Sequence, residues 1–198
     1  MPERRLVVEE VGAQVTVQDL GRPGLAHLGV PLSGALDEPA HRLANRLVGN
    51  PEDAAALECL DGRLTFTTTA SSTIAVTGAR VPVSVNGRAR DWGSGLPVPA
   101  GSTVRLGPAG SGLRAYVAVA GGIAVEPVLG SRSTDLLSGL GPEPVAKGDE
   151  LPLGRAARAP VAVDTPREPR RTGVLRIVLG PRQDWFEDHA VAALDGAS

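Results

Sequence analysis

The chain has 198 residues, enough for one ordinary domain or for one domain and part of another. Glycine (25) and proline (17) make up about a fifth of it, and 42% of residues are hydrophobic against 21% charged. This is a globular balance whose density of turn formers excludes helical bundles and coiled coils. A net charge of −2 and an aromatic content of 3% supply neither the field nor the stacking platforms that would recruit nucleic acid or an anionic membrane.

The opening MPERRLVVEE reaches Glu9 and Glu10 before a signal-like apolar core can form. Residues 6–11 and 15–18 read as two β-branched strands separated by Gly12. A long Gly- and Pro-rich stretch, 19–37, follows and carries Asp19, Arg22, His27, Ser33 and Asp37; loops of that length in compact domains are commonly functional. Asp37 is a good N-cap for a helix over 37–48, in which Ala40, Leu43, Ala44, Leu47 and Val48 recur at helical spacing. His41, Arg42, Asn45 and Arg46 are expected on its outward face, and Gly49-Asn50-Pro51 ends it. Strands are then expected at 55–60, 64–69, 73–77, 81–85, 88–92, 103–106, 114–120 and 150–153, with Asn86-Gly87 as a strong hairpin signal. Strands do not alternate with helices, so a closed or curled antiparallel β architecture is expected. The longest apolar run, 115–125, falls short of the roughly 18 residues a membrane helix needs, and one cysteine excludes an internal disulfide framework; a soluble, cytoplasmic protein is expected. The organisation is read as a β domain over 6–153, a linker over 154–173, and the start of a second subdomain over 174–198. In that last part 174–179 is a strand, and Asp184 caps a helix running to Leu194.

Generic catalytic patterns are absent: no G-x-S-x-G, P-loop or G-x-G-x-x-G occurs. His27, Ser33 and Asp37 have the residue types of a triad, but turn and capping roles explain Ser33 and Asp37 better. His27, His41 and His189 lack metal-ligand spacing, so no metal site is expected. Cys59 reads as a small core residue. Glu58, in the apolar run Ala-Ala-Leu-Glu-Cys-Leu, is either a site carboxylate or half of a structural ion pair. Arg22 and Arg132 lie in Gly-rich loops, where a guanidinium fork either fits a carboxylate or phosphate or ties the loop down.

Several segments in order resemble one family. They are Thr16-Val17-Gln18-Asp19-Leu20-Gly21-Arg22-Pro23-Gly24, Ser33-Gly34-Ala35-Leu36-Asp37, Arg42-Leu43-Ala44-Asn45, Gly49-Asn50-Pro51, Ala118-Val119-Ala120-Gly121-Gly122-Ile123 and Leu129-Gly130-Ser131-Arg132-Ser133-Thr134. The family is the carboxyltransferase-domain C/D family, also called allophanate hydrolase subunit 2. It includes the C subunit of 5-oxoprolinase and the Kip-type antagonist of a sporulation kinase inhibitor. The resemblance implies a cyclophilin-like antiparallel β-barrel. It also implies work beside a sibling protein (the B subunit of 5-oxoprolinase, or allophanate hydrolase subunit 1) and a third, TIM-barrel-like component, in ATP-dependent opening of 5-oxoproline to glutamate. ATP would be a cosubstrate of the complex; carboxybiotin enters only for the alternative, the carboxyltransferase part of a biotin-dependent urea carboxylase. A third possibility is a non-enzymatic antagonist. Family chains run on past residue 198, so this one is expected to be a piece of a longer protein that is inactive alone.

For lactam opening, the substrate carboxylate would need Arg22, Arg42 or Arg132, developing oxyanion charge would need loop N–H groups near Gly21 and Gly34, and a water would need Asp19, Asp37 or Glu58. Gln18, Ser33, Gly34 and Asn45 complete the expected substrate-binding set, all converging on one polar cleft.

Overall fold

The computed structural model describes residues 4–156 and 177–196. The chain divides into two compact units, Met1–Pro166 and Arg167–Ser198.

In chain order the first unit contains β1 (Arg5–Val11), β2 (Gln14–Gln18), helix α1 (Glu38–Leu47), β3 (Ala56–Leu60), β4 (Gly62–Thr68), β5 (Ser72–Arg80), β6 (Val83–Val85), β7 (Arg88–Arg90), β8 (Gly95–Val98), β9 (Thr103–Pro108), β10 (Ser111–Val119) and β11 (Glu150–Pro152). They form two wholly antiparallel sheets, one ordered β11-β1-β4-β9-β6-β7 and the other β2-β3-β10-β5-β8. Period-two alternation turns one face of each sheet inward. Leu6, Val8, Leu64, Phe66, Val104 and Leu106 from the first meet Val15, Val17, Leu57, Cys59, Ile74, Val76, Ala115 and Val117 from the second in a single core. Burial of each large side chain there is worth about 1.5–3 kcal/mol.

The mainly β, antiparallel class is as expected, but the two sheets face each other as open layers and do not close into a ring. The β2 edge shows why. Its carbonyls are taken by a loop, with Thr134 N donating to Val17 O (2.9 Å) and Val145 N to Val15 O (2.8 Å), so no strand of the other sheet pairs there. The Asn86-Gly87 turn forms with both residues at positive φ (51° and 75°), the geometry of a tight two-residue hairpin. Strand β8 is an addition to the expected set, because Pro97 argues against a strand; it is tolerated because β8 lies at the sheet edge, where a missing N–H costs no ladder bond.

Helix α1 is capped as expected, Asp37 Oδ1 accepting from Ala40 N at 3.1 Å. It lays Ala44, Leu47 and Val48 against Ala56, Ala75, Ala118 and Ala120 on the outer face of the second sheet, where small side chains allow close approach. The expected outward stripe is half wrong. Arg42 and Arg46 are outside, paired with Glu52, but His41 and Asn45 are completely buried. Positions 41 and 45 share the face of 44 and 48, and the sheet and the 50–54 loop offer them polar partners.

In the second unit, helix α2 (Asp188–Gly196) begins four residues later than expected, because Gln183–Trp185 forms a 3-10 turn first. Residues 177–179 carry no strand pairing, which corrects the strand expected at 174–179; its first three residues lie outside the described residues, as does the reading of 157–173 as a linker.

Candidate functional site

Two loops, 19–37 and 128–138, are fastened together beyond the end of β2. Asp19 is the fastener. Its Oδ1 accepts from the hydroxyls of Ser131 and Ser133 (2.6 Å each) and from Gly21 N (2.8 Å), and its Oδ2 accepts from Arg132 N (2.6 Å). Burial pushes the Asp19 carboxyl up, but these four donors outweigh it and hold its pKa below the usual 3.8. The neck of the 19–37 loop is closed by Arg22 N to Leu32 O (2.8 Å) and Ala35 N to Asp19 O (2.9 Å). Gly34 is required there: it sits at φ +90°, and a Cβ would lie 2.8 Å from Gly21 N.

Arg22 is only 2% exposed. Its Nε donates to Val128 O (3.3 Å), Nη1 to Ser33 Oγ (2.9 Å) and Nη2 to Ser133 O (2.6 Å). Ser33 passes the contact on, donating to Asp135 Oδ2 at 2.5 Å. That bond, with those from Ser138 N and Leu137 N, brings Asp135 down to about 2. Such a carboxylate accepts a hydrogen bond from Ser33 and is too weak a base to take its proton.

A second cluster lies on the outer face of the second sheet, where Thr16, Glu58, Tyr116 and Thr77 stand in register across four strands. Glu58 Oε2 accepts from Tyr116 Oη (2.7 Å) and Leu36 N (2.9 Å), while Oε1 accepts from Arg114 Nη1 (2.9 Å). Tyr116 Oη in turn accepts from Asp37 N (2.7 Å), and burial raises the phenol's pKa. Glu58 thus holds the point where the loop enters α1. His41 Nε2 lies 3.1 Å from the Gln18 carbonyl, which places the ring proton on Nε2; Nδ1 is buried with no protein partner. Burial lowers the His41 pKa, against the Gln18 bond that raises it.

The structure therefore brings Gln18, Asp19, Arg22, Ser33, Gly34 and Arg132 to one node, and Asp37 and Glu58 to the neighbouring one. Asn45 stands apart, its Nδ2 donating to Ala54 O (2.8 Å) and its Oδ1 accepting from Asn50 Nδ2 (2.9 Å) to hold the loop after α1. Arg22 does not offer the fork expected of it, because each of its nitrogens already donates within the protein. The triad is not assembled: His27 Nδ1 meets Gly24 O, Ser33 meets Asp135 and Asp37 caps α1. No group of three or more metal-ligating side chains occurs among the described residues. Cys59 is a buried core thiol, pushed up to about 12 by burial. Tyr116, Arg114, Ser131 and Asp135 join the clusters without having been singled out by sequence; the one signal is Tyr116, the chain's single tyrosine, inside the apolar run 115–120.

These shifts fix the acid limb of stability. His41 has a folded pKa below its unfolded 6.5, so the unfolded chain gains the proton first and stability begins to fall as pH drops below 6.5. Asp19 and Asp135 are depressed below 3.8, so their contribution is present above that value and is lost as pH falls towards about 2. Thermal melting against pH should show two descending steps, and His41→Gln should remove the upper one. A melting temperature that stays flat from about pH 6.5 to about 4.5 in the parent chain would contradict this reading.

The family described as carboxyltransferase domain, subdomain A and B, matches residues 28–197, and the chain belongs to it. The chain is 38% identical over 185 residues to the C subunit of 5-oxoprolinase of Escherichia coli (strain K12), covering 92% of this chain and 60% of that protein. It is 41% identical over 137 residues to urea amidolyase of Lachancea kluyveri, covering 68% of this chain and 7% of that one. Among solved structures, TTHA0988 superposes with a TM-score of 0.86 at 37% identity, over 100% of this chain and 39% of that one. The K. lactis urea amidolyase superposes with a TM-score of 0.72 at 34% identity, over 79% of this chain and 10% of that one. The chain thus spans about three fifths of the length of its bacterial relative. No helix among the described residues is long and apolar enough to cross a membrane.

Proposed function

We propose that this chain belongs to a prokaryotic, cytoplasmic 5-oxoprolinase complex that converts 5-oxo-L-proline, ATP and water to L-glutamate, ADP and phosphate. The observation that carries this reading is the 38% identity to the C subunit of a 5-oxoprolinase along 92% of the chain. The match to urea amidolyase covers a smaller share, 68%. An unstrained lactam resists water at neutral pH. Transfer of the γ-phosphoryl group of ATP to the lactam oxygen makes that oxygen a leaving group. A first water adds to the carbon and the C–N bond opens to the amine, leaving an acyl phosphate. A second water then attacks the same carbon and displaces phosphate, which departs with the former carbonyl oxygen.

The geometry supports a division of labour among the candidate carboxylates. Asp19 is saturated by four donors and Glu58 by three, so both hold structure. Asp37 is exposed and uses one oxygen for its cap, and it is the carboxylate with an oxygen left to orient water. Partners are the sibling B subunit and a third component of the complex. ATP is a cosubstrate whose site is assigned to no residue of this chain.

The test is to supply the assembled complex, built with the full-length protein, either with 5-oxoproline and ATP or with urea, a biotin carboxylase and a biotinylated carrier. Glutamate should form in the first case and no carboxyurea in the second, and the 198-residue chain alone should turn over neither. Urea carboxylation without glutamate release would transfer the protein to the alternative reading.

A further inference from the structure

We infer that Arg132 is the residue that grips the carboxylate of the lactam substrate, an assignment that rests on the 5-oxoprolinase reading. The side chain is set in place from both ends. Its backbone N donates to Asp19 Oδ2 (2.6 Å), and its Nε donates to Val125 O (2.6 Å). Nη1 and Nη2 are left with no acceptor among the described residues, on a half-buried side chain. A guanidinium held by Nε alone presents its terminal nitrogens with little freedom left to lose, and that pair matches the two oxygens of a carboxylate.

The other arginines near the node are already engaged. Arg22 is buried on Val128, Ser33 and Ser133; Arg114 is on Glu58 and Gln14; Arg42 is on Glu38 and Glu52. Ser131 and Ser133, fully buried on either side of Arg132, both point to Asp19. Asp19, Ser131 and Ser133 therefore act as positioning residues, anchoring the loop from which the Arg132 side chain reaches Val125 O. Leu129, at φ +52° and exposed, tips the hairpin that leads into this loop. A leucine there is strained, and the turn it makes hands Val128 O to Arg22 Nε.

The test compares Arg132→Lys with the parent protein in the assembled complex, reading KM and kcat for 5-oxoproline and the inhibition constant of 2-pyrrolidinone, the same lactam without its carboxylate. The lysine variant should raise KM about tenfold or more while kcat stays within about threefold. Its melting temperature and its inhibition by 2-pyrrolidinone should be unchanged. A KM within about twofold of the parent, or a loss tracked by melting temperature, would overturn the assignment. A parent complex that consumes no 5-oxoproline would remove the lactam-hydrolase reading and this assignment with it; an active parent with an indifferent Arg132→Lys removes Arg132 alone.

Discussion

Replacing Asp19 by alanine is expected to destabilise the first unit by roughly 4 kcal/mol, the largest effect of any single substitution at the node. Two serine hydroxyls and two backbone N–H groups lose one ionised acceptor at once. Both serines are fully buried, so water cannot replace the carboxylate without opening the loop. Asp19→Asn keeps one oxygen for some of these donors but turns an N–H₂ towards others, so it should lie between parent and alanine. Chemical denaturation checks the order; an alanine variant within about 1 kcal/mol of the parent would mean that the two loops are held together elsewhere.

Arg22→Lys is expected to cost roughly 2–4 kcal/mol even though charge is kept. A single ammonium cannot reach Val128 O, Ser33 Oγ and Ser133 O together, and it would be left buried with unmet hydrogen bonds. The enclosure leaves little room to adjust: a Cβ on Gly141 would lie 2.1 Å from Ser133 O and 3.2 Å from Arg22 Nη2. On the 5-oxoprolinase reading, the assembled complex carrying the folded variant should keep the parent KM for 5-oxoproline. Arg22→Lys and Arg132→Lys therefore form a pair with opposite signatures, one in denaturation and one in kinetics. A raised KM with unchanged stability for Arg22→Lys would restore Arg22 to the substrate.

What is legible in the sequence follows from how local each signal is. Strand alternation and the Asn86-Gly87 turn need only neighbours, and the turn and the strands expected within 6–153 form. Asp37 capping α1 is likewise local. His41 and Asn45 fall on the opposite side of the helix from the expected one, because polar residues read as solvent-facing unless something polar awaits them inside. Here it does: the Gln18 carbonyl for one, and the Ala54 carbonyl and Asn50 for the other. Arg22 misleads for a related reason. An arginine in a Gly-rich loop looks open to ligand, and only the return of the chain more than a hundred residues later covers it. The same return supplies Ser131, Ser133 and Asp135, so on that side of the node sequence singles out Arg132 but not the groups that hold it in place. Glu58 stands between site and ion pair on sequence, and the structure gives the ion pair with Arg114.

The central claim is ATP-dependent opening of a lactam, and the most direct measurement follows the carbonyl oxygen. The assembled complex is given 5-oxoproline labelled with ¹⁸O at the ring carbonyl, and the products are read by mass spectrometry. Phosphorylation of that oxygen predicts one ¹⁸O in each phosphate released, with formation of glutamate and ADP in equal amounts. Label retained wholly in the glutamate carboxylate, or glutamate formed without ADP, would contradict the account.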